Sequence, residues 1–191
     1  HLILATGQSN IFIKATVTAK FRRDAIKTKD DIINTLLSAY SYDNSDINKP
    51  IRASDIIALI DNLEKVDYLS LDKLYLIPYF RAIGHNIELN KTFETLSNSV
   101  TINHWQVKYM GTEFKLFKDY MYVSDITIDG TYIDPESNFR ITIGPGNYVN
   151  GNEWEFTTYP FNNNIETDDF TVPVTTLANL DITVNEKLIN N

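Results

Sequence analysis

The chain has 191 residues, enough for one domain or two small ones. Apolar residues at 43% and charged residues at 22% exclude a disordered chain, and a net charge of −8 argues against nucleic acid, whose phosphates need a basic surface. Cysteine is absent, which excludes disulfides, thiolate metal sites and thiol nucleophiles. No apolar stretch reaches the roughly 18 residues of a membrane span, and no basic leader with an apolar run opens the chain. A first residue of His1 rather than Met reads as a fragment of a longer polypeptide, with residues 1–13 as the end of a linker running into a strand.

Residues 11–21, IFIKATVTAKF, alternate apolar and polar side chains and predict a half-buried strand. A helix follows. Thr28 is its expected N-cap, Asp30 and Asp31 suit its positive end, and Ile32, Ile33, Leu36, Leu37 and Tyr40 share one face. Residues 42–50 are polar and turn-rich and end it. Ser54 is the expected cap of a second helix, with Ile56, Ile57, Ile60 and Leu63 on one face. Residues 65–77 read as one long strand or two short ones, stopped by Pro78. Two helices on one face of a small sheet would bury both stripes.

Helical periodicity disappears after about Gly84. Short strand-prone runs (WQVKY, FKLF, MYVSDITI, NFRITI, WEFTTY) alternate with turn dipeptides. Met110-Gly111, Asp129-Gly130 and Asn150-Gly151 read as hairpin turns. A last strand is expected near 180–184. The fold class is therefore α+β: a two-helix, small-sheet domain over 1–85, then a mostly antiparallel β domain of six to eight strands over 86–191.

The search for chemistry is brief. His85 and His104 are the only internal histidines and match no metal-binding spacing, so they read as surface or half-buried imidazoles. Asp125, Asp129, Asp134 and Glu136 cluster around turns, but not at the spacing of a calcium loop, and nothing pairs two of them as glycosidase carboxylates. Gly144-Pro145-Gly146 lacks the ending of a phosphate loop and reads as a turn; no GxSxG elbow exists. Trp105, Trp154, Phe156, Tyr159 and Phe161 read first as core, with a sugar-stacking platform as the alternative. No catalytic, cofactor-binding or metal-ligating residue is assigned, and no cofactor is expected.

The order of strand IFIKATVTAKF, helix DDIINTLLSAY and phrase IRASDIIALIDNLEKVDYLSL resembles the carboxy-terminal part of the baseplate J-like family, the wedge proteins of contractile phage tails. The resemblance covers residues 11–77. Ser54-Asp55-Ile56 matches the segment that opens the family's second helix, and Lys65-Val66 stands where Gly-Val is usual. The later phrase GNEWEFTTYP is similar to β-rich segments of tail proteins. The resemblance implies a structural, non-enzymatic subunit of a phage or prophage baseplate, or of a related injection device. It would sit in the virion tail after assembly in the bacterial cytoplasm. Its partners would be other baseplate or tail proteins and copies of itself, with no nucleic acid. A carbohydrate-binding β module of a surface or receptor-binding protein is the competing expectation, and exposed coplanar aromatics would mark it.

Overall fold

A computed structural model of the chain describes residues 7–21, 24–47, 50–96, 102–134, 136, 139–158, 161–162, 164–165 and 171–187. The fold is α+β with a mainly antiparallel β domain. It divides into two units. The first takes His1–Leu76 together with Asn163–Asn191, and the second is Ile77–Asn162. This corrects the expected boundary in two ways. The first stretch ends before 85, and the last thirty or so residues return to the first unit rather than completing the β domain.

The reason lies in β1 (Gly7–Ala19). Its alternation buries Ser9, Ile11, Ile13, Ala15, Val17 and Ala19 on one face. A long strand with so apolar a face needs hydrogen-bonded neighbours, and the tail supplies them. β14 (Thr171–Val174) pairs with its first part and β15 (Leu180–Glu186) with its second, both parallel. A 3-10 turn at Leu177–Asn179 separates the two. Between them Thr175 donates its N–H to Tyr40 O at 3.0 Å and its hydroxyl to Ile11 O at 2.9 Å. β3 (Val66–Ile77) also pairs with β1. In chain order the second unit is thus an insertion, because parallel pairing of β1 waits for the chain's end.

Helix α1 (Ala25–Ala39) begins three residues before Thr28. The Thr28 N–H bonds to Asp24 O at 2.7 Å, so Thr28 sits one turn inside the helix instead of capping it. Its side chain is buried and Oγ1 has no partner among the described residues. Asp30 and Asp31 consequently lie in the helix middle, away from the positive end. Ile32 and Leu36 are buried, and α1 packs on β15 and β1. The two-residue strand β2 (Ile51–Arg52) leads into α2 (Ala53–Asp61), which packs beside α1 through an apolar stripe containing the buried Ile56 and Ile60. Arg52 occupies the N-cap position, and the expected cap Ser54 is an exposed first-turn residue. The exit from α2, at Lys65, needs no glycine. Leu63 N–H bonds to Ile60 O and Val66 N–H to Leu63 O, at 3.1 and 3.0 Å, and no residue of this turn has a positive φ. A right-handed turn makes no demand for glycine. β13 (Asn164–Ile165) pairs antiparallel with β2.

The second unit is a sandwich of two antiparallel sheets. One has the order β4-β11-β6-β7-β8: β4 (Arg81–Ile83), β6 (Asn103–Tyr109), β7 (Glu113–Lys118), β8 (Met121–Thr127) and β11 (Glu153–Thr158). The other is β5-β10-β9: β5 (Lys91–Thr95), β9 (Thr131–Asp134) and β10 (Phe139–Ile143). The short β12 (Phe161–Asn162) ends the unit. Its core includes Phe80, Phe93, Trp105, Phe114, Phe139, Trp154 and Phe156.

Met110-Gly111 does turn a hairpin, between β6 and β7, closed by Met110 N–H to Glu113 O at 2.8 Å. Asp129-Gly130 and Asn150-Gly151 do not. They join β8 to β9 and β10 to β11, strands of different sheets, so each carries the chain across the sandwich. The left-handed residue is Asp129 (φ 61°) in the first and Gly151 (φ 91°) in the second, not Asn150. The Gly151 N–H bonds to Tyr109 O at 2.8 Å, tying that crossing to the end of β6.

Candidate interaction surface

Among the described residues the sandwich has four edge strands, and they differ. β4 has three residues, beginning with Arg81, and β5 carries Lys91 and Glu94. Short or charged edges discourage pairing with another chain. β8 has seven residues and β9 four, and neither contains Lys, Arg or Pro. β8 pairs with β7 alone among the described residues. A bulge shifts the register between Leu116 and Phe117, so that Val123 has no opposite residue on β7.

The turn at the start of β8 is the least expected feature. Lys118 pairs with Met121, which leaves Asp119 and Tyr120 as a two-residue hairpin loop. Both have positive φ, 47° and 67°. That is the geometry that Asn-Gly or Asp-Gly makes without strain; a tyrosine held there costs about 1 kcal/mol or more. Asp119 offsets part of the strain by accepting the His104 N–H at 3.2 Å, while its own N–H donates to His104 O at 2.8 Å. The turn then displays three consecutive large side chains: Tyr120 is 82% exposed, Met121 72% and Tyr122 54%. Tyr122 lies edge-on to Phe117, with the Lys115 ammonium 5.3 Å from its ring centre. A hydrogen bond to Asp125 raises its hydroxyl pKa above the usual tyrosine value.

The weighed carboxylates fall around this hairpin without converging. Asp125 pairs with Lys115 at 3.3 Å and Glu136 with Lys118 at 2.5 Å. Asp134 is buried on β9, where it accepts the Tyr132 hydroxyl at 3.3 Å. Burial first, and the Asp134 charge second, raise the Tyr132 pKa. Asp129 belongs to the sheet-crossing turn. Among the described residues no three His, Asp or Glu side chains gather as metal ligands would.

His85 acts as a clip. Its Nδ1 accepts the Ile87 N–H at 3.1 Å, its Nε2 lies against the Glu153 backbone, 3.0 Å from O and 3.1 Å from N, and its ring lies edge-on to Trp154. His104 Nδ1 meets Thr157 Oγ1 at 3.1 Å on the neighbouring strand. Gly144-Pro145-Gly146 opens the connection from β10 to β11. Trp105, Trp154 and Phe156 are buried core, so these three form no sugar-stacking platform. Tyr159 and the side chain of Phe161 lie outside the described residues.

The first unit holds a cavity of about 340 Å³, lined in part by Tyr40, Asp46, Asp55, Leu59, Asn62 and Pro173. Burial, and then the Asp55 charge, push the Tyr40 hydroxyl up to about 12. A neutral phenol beside carboxylates can donate and accept hydrogen bonds but is a poor proton acceptor for catalysis.

Sequence reasoning passed over Asp119-Tyr120 because Asp-Tyr carries no turn signature. The available signal was positional: KDY separates FKLF from MYVSDITI, and two strand-prone runs that close must be joined by a tight turn. The chain matches no protein-family model and no curated protein.

Proposed function

We propose that this chain is a non-enzymatic structural part of a phage or prophage baseplate, or of a related contractile injection device, working through contacts with other tail proteins and copies of itself. One observation carries the reading. The order β1, α1, β2, α2, β3 has Ser54-Asp55-Ile56 in the first turn of α2, as the resemblance to the baseplate J-like family implies. The exposed apolar hairpin at 119–122 supports it, because assembly proteins act through contact surfaces enriched in Tyr and Met. The proposed location is the tail of the virion.

The test is to tag the protein in its source and identify what copurifies. Tube, sheath or wedge proteins in stoichiometric yield are the expected result. Selective recovery of a defined glycan would overturn the reading, as would a hydrolytic activity lost on Asp125→Asn or Asp134→Asn.

A further inference from the structure

We infer that the β7–β8 hairpin tip and the adjoining edge of β8 form a docking site for an extended segment of another protein that alternates apolar with arginine or lysine residues. Four observations converge. The first is strain: Tyr120 holds a left-handed conformation that glycine would adopt freely. Strain kept at an exposed position points to a use for the side chain placed there. The second is display. Tyr120, Met121 and Tyr122 stand out from the end of the β7–β8 hairpin, and Tyr and Met are residue types enriched at interfaces. The third is the edge. β8 has no lysine, arginine or proline to blunt it, and its one charge, Asp125, is paired with Lys115, whereas β4 and β5 are short or carry lysine. The bulge at Val123 interrupts the regular edge, so side-chain contacts at the tip must supply much of the attraction.

The fourth observation selects the occupant. Residues 113–136 hold six carboxylates against two lysines, and with Asp134 buried five of the six remain at the surface. Both lysines already pair, Lys115 with Asp125 and Lys118 with Glu136. Asp119 and Asp129 make no ion pair among the described residues. A second copy would bring the same excess of carboxylates against this one, which disfavours self-pairing at this edge. A segment with Arg or Lys gains from the carboxylates and from the exposed tyrosine faces, on which guanidinium groups stack. Apolar residues between them cover Met121 and Val123, and an extended conformation lets the segment follow an edge strand. The proposal needs a protein partner, not a baseplate, so it can fail or stand apart from the reading above.

The experiment titrates the ¹⁵N-labelled full chain with a seven-residue peptide alternating arginine and valine. The controls are the same peptide with glutamate for arginine, a maltohexaose series, and dilution of the chain alone followed by light scattering. Expected are shifts concentrated at 118–123 with the arginine peptide, weakened several-fold between 50 and 500 mM salt. Tyr120→Gly should weaken binding at least tenfold while Tm stays level or rises, because the turn is relieved. That pairing separates a docking role from a structural one. Met121→Gln, which leaves the turn intact, should weaken binding as well. Equal binding of the glutamate peptide, shifts spread over the whole surface, or binding unchanged in both variants would overturn the proposal. So would shifts at 118–123 caused by the oligosaccharide or by the chain's own dimerisation.

Discussion

The two units close their cores with different side chains. The first is mainly aliphatic, with Ile11, Ile13, Ala15, Val17 and Ala19 of β1, Ile32 and Leu36 of α1 and Ile56 and Ile60 of α2, and with Tyr75 stacked on Phe12 as its one described ring pair. Small and β-branched residues suit a strand with parallel neighbours and a helix packed on it, where the backbones approach closely. The second is aromatic. Trp105 and Phe156 stack with centroids 6.0 Å apart, Phe139 meets Trp105 edge-on at 5.0 Å, and Phe80 stacks on Phe156 at 4.2 Å. Rings fill the wide space between two facing sheets. They also bring directional contacts that aliphatic residues lack: Trp105 Nε1 donates to Thr158 Oγ1 at 3.0 Å and Trp154 Nε1 to Ile87 O at 2.8 Å. In the second core the large rings themselves make hydrogen bonds, whereas in the first the buried ones come from small hydroxyls, Ser9 with Thr171 and Thr175 with Ile11 O.

The sharpest way to break that comparison is to shrink each core. Trp154→Ala should cost about 4 kcal/mol, the cavity adding to a lost hydrogen bond. Ile13→Val should cost about 1 kcal/mol, since one methylene leaves a small void. Urea denaturation gives the totals, and hydrogen exchange of β6 and β11 amides locates the larger loss. Equal costs for the two would remove the distinction.

Next in size is a backbone effect confined to the sandwich. At Gly130 a Cβ would stand 2.6 Å from Thr127 Oγ1, 2.8 Å from Thr127 O and 3.0 Å from Thr127 N. The hydroxyl can swing away, but the carbonyl is held by the Gly130 N–H at 2.8 Å. Gly130→Ala should therefore cost about 2 kcal/mol, read as a lower urea midpoint. Little loss would mean that the crossing from β8 to β9 relaxes freely.

The first unit's elements were largely legible in the sequence, because β1 and both helices announce themselves by periodicity. Their closure was not. Parallel pairing of β1 with residues more than 150 positions away leaves no local signal, and TVPV and LDITV look alike whether they end a sandwich or complete another sheet. In the second unit the strands were legible and their partners less so. Asp-Gly and Asn-Gly mark a left-handed residue, which a sheet-crossing turn uses as readily as a hairpin does. The candidate docking tip was hidden for a related reason: a strained Asp-Tyr turn violates the rule by which turns are recognised.

Alkaline titration compares the units at similar cost. Tyr40 in the first has its folded pKa raised from the usual tyrosine value of 10 to about 12, and Tyr132 in the second is also raised. A raised tyrosine contributes stability that is complete below about pH 10 and is lost as pH climbs towards the folded value. For Tyr40 the loss should be on the order of 1 kcal/mol, solvent at its exposed side being allowed for. Protection of α1 amides should fall between pH 10 and 12, and Tyr40→Phe should flatten that fall without changing β6. Thr28→Val acts in the opposite direction. It removes a buried hydroxyl that has no partner among the described residues while keeping the shape, and should raise stability by about 1 kcal/mol at every pH. A loss of stability would show that Oγ1 is hydrated.

The smallest expected effect lies on the outer face of the five-stranded sheet. Arg81 donates to Glu155 at 2.6 Å from the neighbouring strand, in register with it. That bond, helped by Gln106 at 3.3 Å, holds the Glu155 carboxyl below the usual glutamate value. Both side chains are open to water, so Arg81→Ala should cost only a few tenths of a kcal/mol at pH 7. The sign with pH is fixed. A depressed carboxylate adds stability above its unfolded pKa and loses it as pH falls through the folded one. The gap between wild type and Arg81→Ala should therefore close as pH drops below about 4, while Gln106→Ala widens it slightly at neutral pH. Urea midpoints at pH 7, 5 and 3 measure this. A gap that persists at pH 3 would mean that the Arg81 stem, packed on the sheet, supplies the stability and its charge does not.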